Sequence, residues 1–569
     1  MIGIRGSIRI AAALLLIEAF PSHAEMQTIR NDQFWKDASG NFIYSQGGGV
    51  IKVGDTWYWY GVKYRGAVTY AANPTGKNGD IGFMGVTCYS SKDLVNWKDE
   101  GLALEPNQAG GGWFGRVGVV YNARTRTYVL AGQGSSPSGA YGEYFATSPT
   151  PDGPFKFHNV QTDLSFFVNG GTGDQTTFQD DDGKAYIICS NVSGRSNLYV
   201  APLRASDFLA IEPTPTRIYR GNGREGNAMF KMDGTYYFCS SDLHGWNTSR
   251  TYCVSSKNIL GPYGAEFVLP GTEMDFSHVT QTGFFVAVKG TKNSFVINAG
   301  DRWSDFAGNG LGFNQWVPMT LENGKPRFHS LSEWKLDAIT GEWAVGQGNN
   351  YVLNPTFEAD RVSQTQLTGW TVAPVDASNI NSTSQRRTGR WGVHLTGSKT
   401  FSQSVTGLPN GTYTLSAWIK SSGGQTSAQL FARGFGGSDM GVSLSAAASG
   451  WTRKSVPGIK VTNGTMRVGV QSSGTTSQWL ALDDFELVKS DPVGVERSIA
   501  DPRLDQSGTS WRRVHSQVPF GLEAAEPGSS LEVRRLDGRP VGRIPVRGSQ
   551  ATLQELRLPE GIYLVRSAK

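Results

Sequence analysis

The chain has 569 residues, room for two to four domains at about 150 residues each, and 72 of them are glycine, against an average share of about 7%. Charged residues make up 18%, below the usual share of about 25%, while aromatics reach 11%; this excludes a coiled coil and favours all-β modules of short strands. A hydrophobic share of 38% with 16 tryptophans excludes a disordered chain, and a net charge of +5 without a basic block in the first 500 residues gives no footing for nucleic acid.

Residues 1–24 read as a secretory signal peptide. Arg5 and Arg9 precede the apolar run Ala11–Ile17, and Ser22-His23-Ala24 is a small-x-small cleavage site. That run is too short to span a bilayer, and no later stretch is long and apolar enough, so a secreted or surface-attached protein is expected. The four cysteines have no metal-binding spacing. The four are Cys88, Cys189, Cys239 and Cys253; Cys239 and Cys253 could pair across one hairpin in an oxidising compartment, with free buried thiols as the alternative.

From about 40 to 340 one unit recurs at intervals of 50 to 70 residues, by the sequence spacing. An apolar strand is followed by a turn with Asp, Gly or Asn, then a strand rich in Tyr and Trp, then a strand ending in Ser-Ser or Thr-Ser. The copies begin at Gly49-Val50-Ile51, Val117-Gly118-Val119, Thr177-Phe178-Gln179, Ala228-Met229-Phe230 and, less regularly, Gly283-Phe284-Phe285. Such repeats predict a five-bladed β-propeller over 25–345, with the first strand of each blade lining an axial channel. Gly346–Asn350 reads as a linker. Residues 351–488, rich in Ser, Thr and Gly with alternating strands, predict one β-sandwich. Asp491-Pro492 and Asp501-Pro502 interrupt any pattern, so 489–520 is expected to be a second linker, before a small arginine-rich β-domain over 521–569.

Exported proteins rich in aromatics often handle sugars, whose apolar faces stack on rings. Glycoside hydrolysis needs a carboxylic acid to protonate the leaving oxygen and a partner to activate water. On a propeller such groups belong where a first strand begins. Asp174, before the third blade, and Glu225, before the fourth, stand there on neighbouring blades. A solvated loop carboxylate is the plainer alternative for each. Asp180-Asp181-Asp182 reads as a turn rather than a metal site.

Residues 28–340 resemble glycoside hydrolase family 43, a family of five-bladed propellers, and most of all its exo-β-1,3-galactanase branch. The likeness is carried by Gly47-Gly48-Gly49 with Trp57-Tyr58-Trp59-Tyr60-Gly61, by Ser90-Ser91-Lys92-Asp93-Leu94-Val95-Asn96-Trp97, by Phe178–Gly183, by Glu225 before Met229-Phe230-Lys231, and by Gly300-Asp301-Arg302-Trp303. The resemblance implies an inverting hydrolase that needs no cofactor for catalysis. It casts Glu225 as the general acid, Asp174 as the carboxylate that tunes and orients it, and Gln281 as the residue that positions water or acts as base. Gln46, Trp59, Trp246, Asp301, Arg302 and Trp303 become candidate sugar contacts.

Two departures bear on specificity. Galactanases carry glutamates where this chain has Val62 and Gly115-Arg116. Asp275 and His278, just before Gln281, are an alternative source of a base. An α-L-arabinofuranosidase or β-xylosidase of the same family, and a non-catalytic glycan-binding propeller, are the competing functions.

The segment 351–488 resembles a jelly-roll carbohydrate-binding module, on Asn354-Pro355-Thr356-Phe357-Glu358, Gly369-Trp370 and Leu482-Asp483-Asp484-Phe485-Glu486. That implies a structural calcium on Glu358, Asp483 and Asp484. Trp391 and Phe435 are candidates for sugar stacking there, and Trp370 for the core. The tail resembles a type IX secretion sorting domain, which implies passage through outer-membrane machinery. The expected partner is a polysaccharide, and the expected state a monomer.

Overall fold

The structure, a computed structural model, describes residues 26–490 except 75, 77 and 304–312, and beyond them the strands of a C-terminal unit. The predicted signal peptide lies outside the described residues. The chain divides into two units, Met1–Ser490 and Asp491–Lys569.

Five four-stranded antiparallel sheets follow one another from Gln46 to Phe328. Their first strands are Gln46–Val53, Gly115–Asn122, Thr172–Gln179, Arg224–Met232 and Gln281–Lys289. Each sheet is a contiguous meander, with strands paired in chain order. Each first strand contacts the first strand of the next sheet, and the fifth contacts the first, so the five close a ring.

Apolar residues drive the closure. Strands buried on both faces lack a polar side, and each sheet shares a separate apolar cluster with each neighbour. Between the fifth and first sheets, Trp59 meets Trp35, Trp97 and Trp316 at ring-centroid distances of 6.0, 5.3 and 4.9 Å. Trp59 is 0% exposed. It is a packing residue between sheets, and the sugar-contact expectation for it is corrected: no face of the ring is open.

Every sheet carries the same irregularity. The register of first and second strands slips between Gln46 and Gly49, Gly115 and Gly118, Thr172 and Gln175, Glu225 and Ala228, and Gln281 and Phe284. A bulge re-aims side chains and needs small or left-handed residues. Gly48 has no room for a side chain, since a Cβ would lie 1.7 Å from the Tyr60 carbonyl oxygen. Gly226 sits at φ +58°, with the Thr282 carbonyl oxygen 2.6 Å from where a Cβ would stand.

A strand the sequence reading left out, Gln27–Arg30, pairs with Glu333–Asp337, which pairs in turn with Glu342–Val345. Next to it, the Asn31 amide donates to the Trp316 and Leu331 carbonyls, both at 2.8 Å, and its Oδ1 accepts from the Trp316 N–H at 2.9 Å. This short sheet ties the start of the ring to its end. Cys239 and Cys253, opposite each other on adjacent strands, form a disulfide; Cys88 and Cys189 are buried thiols.

Residues 351–489 form two five-stranded antiparallel sheets around one apolar core. Trp370, Trp391 and Phe435 all belong to that core. Trp391 at 4% and Phe435 at 3% exposure have no ring face for a sugar, which corrects that expectation. The 346–350 segment is pinned: the Gly348 N–H donates to Glu333, Asn349 Oδ1 accepts from the Ser332 N–H, and the Asn350 amide donates to the Phe485 carbonyl.

In the C-terminal unit, Arg512–His515, Ile562–Ala568, Ser530–Arg535 and Pro540–Pro545 form an antiparallel sheet in that order. Its first strand lies inside the stretch expected to be linker.

Candidate active site

The five bulges bring five segments to the centre of the ring, and five polar side chains meet there directly. Gln281 Nε2 donates to Glu225 Oε1 at 2.8 Å and to the Gly245 carbonyl at 2.8 Å. Arg195, from the loop between the second and third strands of the third sheet, pairs with Glu225 Oε2 and, at 3.1 Å, with Asp174 Oδ1. Asp174 Oδ2 accepts from Arg116 Nη2 at 2.8 Å and from the Gly226 N–H at 3.1 Å. Its backbone carbonyl accepts from the Asn227 amide at 2.7 Å, and Asn227 Oδ1 is held by the Ser240 hydroxyl at 2.8 Å. The bulge at 225–228 thus fixes the loop of Asp174 and the side chain of Glu225 together.

These surroundings separate the two carboxylates. Burial and the Asp174 charge push Glu225 up to about 7, against the pull of Arg195, Arg116 and the Gln281 amide. Burial works on Asp174 too, but Arg116 and Arg195 outweigh it and hold its carboxyl below the usual range. One carboxyl is therefore available as an acid near neutral pH while its neighbour stays charged, the division of labour expected of an acid and its modulator.

A second layer supports them. Asp301, opposite Gln281 in the sheet register, accepts from the Gly47 N–H at 3.2 Å and lies 3.7 Å from Arg116 Nη1. Burial lifts it to about 6, partly offset by Arg116. The Arg116 guanidinium stands 5.8 Å from the centre of the Trp303 ring, and Trp303 meets Trp246 at 5.1 Å, which meets Trp113 at 5.7 Å. Trp113 and Trp246 are only partly buried, so this aromatic wall keeps open surface beside the carboxylates. Gln46 is buried at the bulge of the first sheet.

Arg302 points elsewhere. Alternation along the strand sends it away from Asp301, to Asp32 Oδ1 at 3.0 Å. Asp275 and His278 belong to the same outer cluster. His278 Nε2 lies 3.2 Å from Asp32 Oδ2, its Nδ1 pairs with the Ser330 hydroxyl at 2.7 Å, and that hydroxyl donates to Asp275. Their contacts run to Asp32 and Ser330 rather than to Glu225 or Asp174, so the alternative base expected of Asp275 and His278, and the sugar contact expected of Arg302, are corrected. The Asp180–Asp182 run is a turn whose Asp180 and Asp181 pair with Lys231.

The backbone before Gln281 is strained. Phe276, Ser277, His278 and Val279 all have φ between +50° and +58°. Asp275 caps this left-handed turn by accepting from the His278 N–H at 3.1 Å, and Ser277 is tied to the Ser249 carbonyl at 2.8 Å. Left-handed non-glycine residues cost energy and cluster at functional sites.

In the sandwich, Glu358 Oε1 accepts the N–H groups of Arg390 and Trp391 at 2.7 and 2.9 Å, Asp483 Oδ2 accepts those of Arg387 and Thr388 at 2.6 and 3.2 Å, and Asp484 pairs with Arg387. Among the described residues no three His, Cys, Asp or Glu side chains converge to hold a metal ion. Amide and guanidinium N–H groups are thus donors to all three carboxylates expected to hold calcium.

A ring of sheets with one carboxyl lifted and its neighbour held charged at the centre has the groups needed to protonate a glycosidic oxygen. Residues 50–302, under half of the chain, match the model of the glycosyl hydrolases family 43, which supports a glycoside hydrolase enzyme. A non-reducing end α-L-arabinofuranosidase of Bacteroides ovatus, BoGH43B, is 27% identical over 194 residues, 33% of this chain and 35% of that protein's length. Among solved structures, an exo-β-1,3-galactanase from Phanerochaete chrysosporium with β-1,3-galactotriose is similar at 22% identity and a TM-score of 0.50, over 81% of this chain and 99% of that one. The same enzyme with galactose gives 23% identity and a TM-score of 0.50 over 81% and 100%. At these identities the structural likeness bears on fold alone.

Proposed function

We propose that the protein is a secreted, exo-acting, inverting glycoside hydrolase that releases terminal galactose from β-1,3-galactan, with the five sheets as the blades of its propeller. The observation that carries this reading is the Glu225–Asp174 pair, one carboxyl lifted to about 7 and the other held charged. Protonated Glu225 gives its proton to the glycosidic oxygen as the bond to the anomeric carbon breaks. A water attacks that carbon from the opposite face, and its proton passes to a neighbouring solvent water. Gln281 uses its amide nitrogen on Glu225 and Gly245, and its Oε1 supplies the acceptor that orients the water. Trp246, only partly buried, offers ring surface to the sugar, with Trp303, buried like Trp59, packed behind it, and the buried Asp301 and Gln46 support the pocket from beneath. Passage through outer-membrane machinery, guided by the C-terminal unit, is part of the proposal, as is action as a monomer.

The second reading is α-L-arabinofuranosidase activity. It is favoured by the named activity of the Bacteroides ovatus relative and by Val62 and Arg116 at two places where galactanases carry glutamates. Incubation with β-1,3-galactan, arabinan and xylan decides. Galactose release that falls by about 10²–10⁴ in Glu225→Gln supports the first reading. Arabinose or xylose release in its place overturns the galactan assignment, and binding without release from any polymer overturns the enzyme reading.

A further inference from the structure

Glu143 lies on the third strand of the second sheet, Tyr141–Ser148, fully buried and outside the reaction proposed above. Its Oε1 accepts from Gln175 Nε2 at 2.7 Å. Its other oxygen, Oε2, and the amide oxygen of Gln175 are both buried without a hydrogen-bond partner. Two acceptors left over on two side chains that already touch are satisfied by a single proton. A carboxylic acid and a primary amide join in a closed ring of two hydrogen bonds, the acid O–H donating to the amide oxygen and the amide N–H to the acid carbonyl.

The surroundings favour that proton. An ionised Glu143 would be a buried charge with one neutral donor, which is costly. The strands on either side set Gln133 and Gln161 opposite it, and neither carries a charge. The titratable groups that feel it are Tyr141 on its own strand and the Cys189 thiol of the third sheet, and burial keeps both unionised at neutral pH. Burial pushes Glu143 itself up to about 8, against the pull of the Gln175 amide.

The pair grips the loop of Asp174. Gln175 follows Asp174 at the end of the bulge that begins at Thr172. Gln133, opposite Glu143 in the register, donates through Nε2 to the carbonyls of Thr172 and Gly173 at 3.1 and 2.8 Å. Two facing residues of the second sheet therefore hold the bulge on both sides of Asp174, whose carboxylate has to meet Arg116, Arg195 and the Gly226 N–H together.

We propose that Glu143 is a positioning residue of the reaction: in its neutral form it closes a two-bond ring with Gln175 and, with Gln133, fixes the bulge that presents Asp174 beside Glu225. The proposal rests on the reading of Asp174 as the carboxylate that tunes the acid.

The test compares the full-length wild type with Glu143→Leu and Glu143→Gln on the polymer from which the wild type releases sugar. Leucine fills the space and pairs with nothing. In that variant kcat should fall about tenfold or more with KM little changed. The basic limb of kcat against pH should move to lower pH, because a displaced Asp174 opposes the ionisation of Glu225 less. Glutamine can pair with Gln175 in both directions and should restore kcat and the limb. A folded Glu143→Leu with the wild-type rate and limb, or a Glu143→Gln as impaired as Glu143→Leu, overturns the proposal.

Urea unfolding tests the pair apart from the reaction. The folded protein keeps the Glu143 proton up to about 8, whereas an unburied glutamate loses it near 4.5. The folded state thus binds more protons across that window, and wild-type stability falls as pH rises through it, which Glu143→Gln does not share. The urea midpoint should shift in favour of Glu143→Gln between about pH 5 and pH 8. A midpoint difference that does not change with pH overturns the neutral pair, and this measurement decides if Glu143→Leu does not fold. A wild type that releases no sugar overturns the hydrolase reading instead, and the midpoints still decide the pair.

Discussion

Arg195 sets the terms on which Glu225 can act. Its guanidinium bridges the acid and the modulator, favouring the ionised form of both. A general acid works only while protonated, so activity is present below the Glu225 pKa and is lost as pH rises through about 7. Arg195→Ala removes a favourable charge from ionised Glu225, and the basic limb of kcat against pH should move to higher pH. Asp174→Asn removes the carboxylate that opposes ionisation, and the same limb should move to lower pH with kcat reduced about 10²-fold or more. A pH–rate profile of the two variants checks both signs. The central places of Glu225 and Asp174 were legible in the sequence because each precedes an apolar strand in a repeat. Arg195 was not, because its role depends on a turn of the third sheet reaching over the axis, and nothing in Ser193-Gly194-Arg195-Ser196 announces that reach. Arg116 was legible only as a missing glutamate. Trp59 was misread since a Tyr-Trp strand looks the same in sequence whether its rings face a pocket or a neighbouring sheet.

The recurring bulge is the element that makes a repeat into a site. A regular first strand would alternate its side chains between the two neighbouring sheets; the slip in register lets Arg116, Asp174, Glu225 and Gln281 turn to the axis. Its sequence trace is a glycine within two residues of each of these positions. Gly226→Ala would place a Cβ 2.6 Å from the Thr282 carbonyl oxygen at a left-handed φ, so it should cost about 1–3 kcal/mol and lower activity more than Ala does at an exposed turn glycine such as Gly183. Denaturant unfolding and steady-state rates measure the two effects. The left-handed turn at 276–279 left no such trace, as four successive non-glycine residues at positive φ contradict local preference and exist only because Asp275, Ser249 and Ser330 hold them. The disulfide stands apart from this machinery. It closes a loop with a sequence separation of 14, and replacing Cys239 and Cys253 by alanine should cost up to about 3 kcal/mol in denaturant unfolding while leaving kcat/KM unchanged.

At the scale of the molecule, the all-β class and the repeat over the first two thirds of the chain could be read from composition and spacing, and the short sheet that ties the ring could not. Gln27–Arg30 is four residues long with no repeat partner, and its pairing strand lies beyond the fifth sheet. Asn31 is the fastening. Asn31→Ala leaves the Leu331 carbonyl and the Trp316 N–H without this partner, and the Trp316 carbonyl with the Trp334 indole alone, which should cost about 3 kcal/mol. A lowered midpoint in urea with an unchanged slope checks it.

That same short sheet orders events in time. Arg30 and Glu333 are 303 positions apart, while each of the five sheets can form from its own contiguous stretch. This strand leaves the ribosome ahead of all five sheets and is thus among the last to find its partner, since its pairing waits until some three hundred residues have followed. Contacts so distant along the chain form slowly. Assembly should therefore show fast growth of sheet signal followed by a slower step that alone protects the amides of Gln27–Arg30 from exchange. The ring is made piecewise and locked once, by its oldest segment.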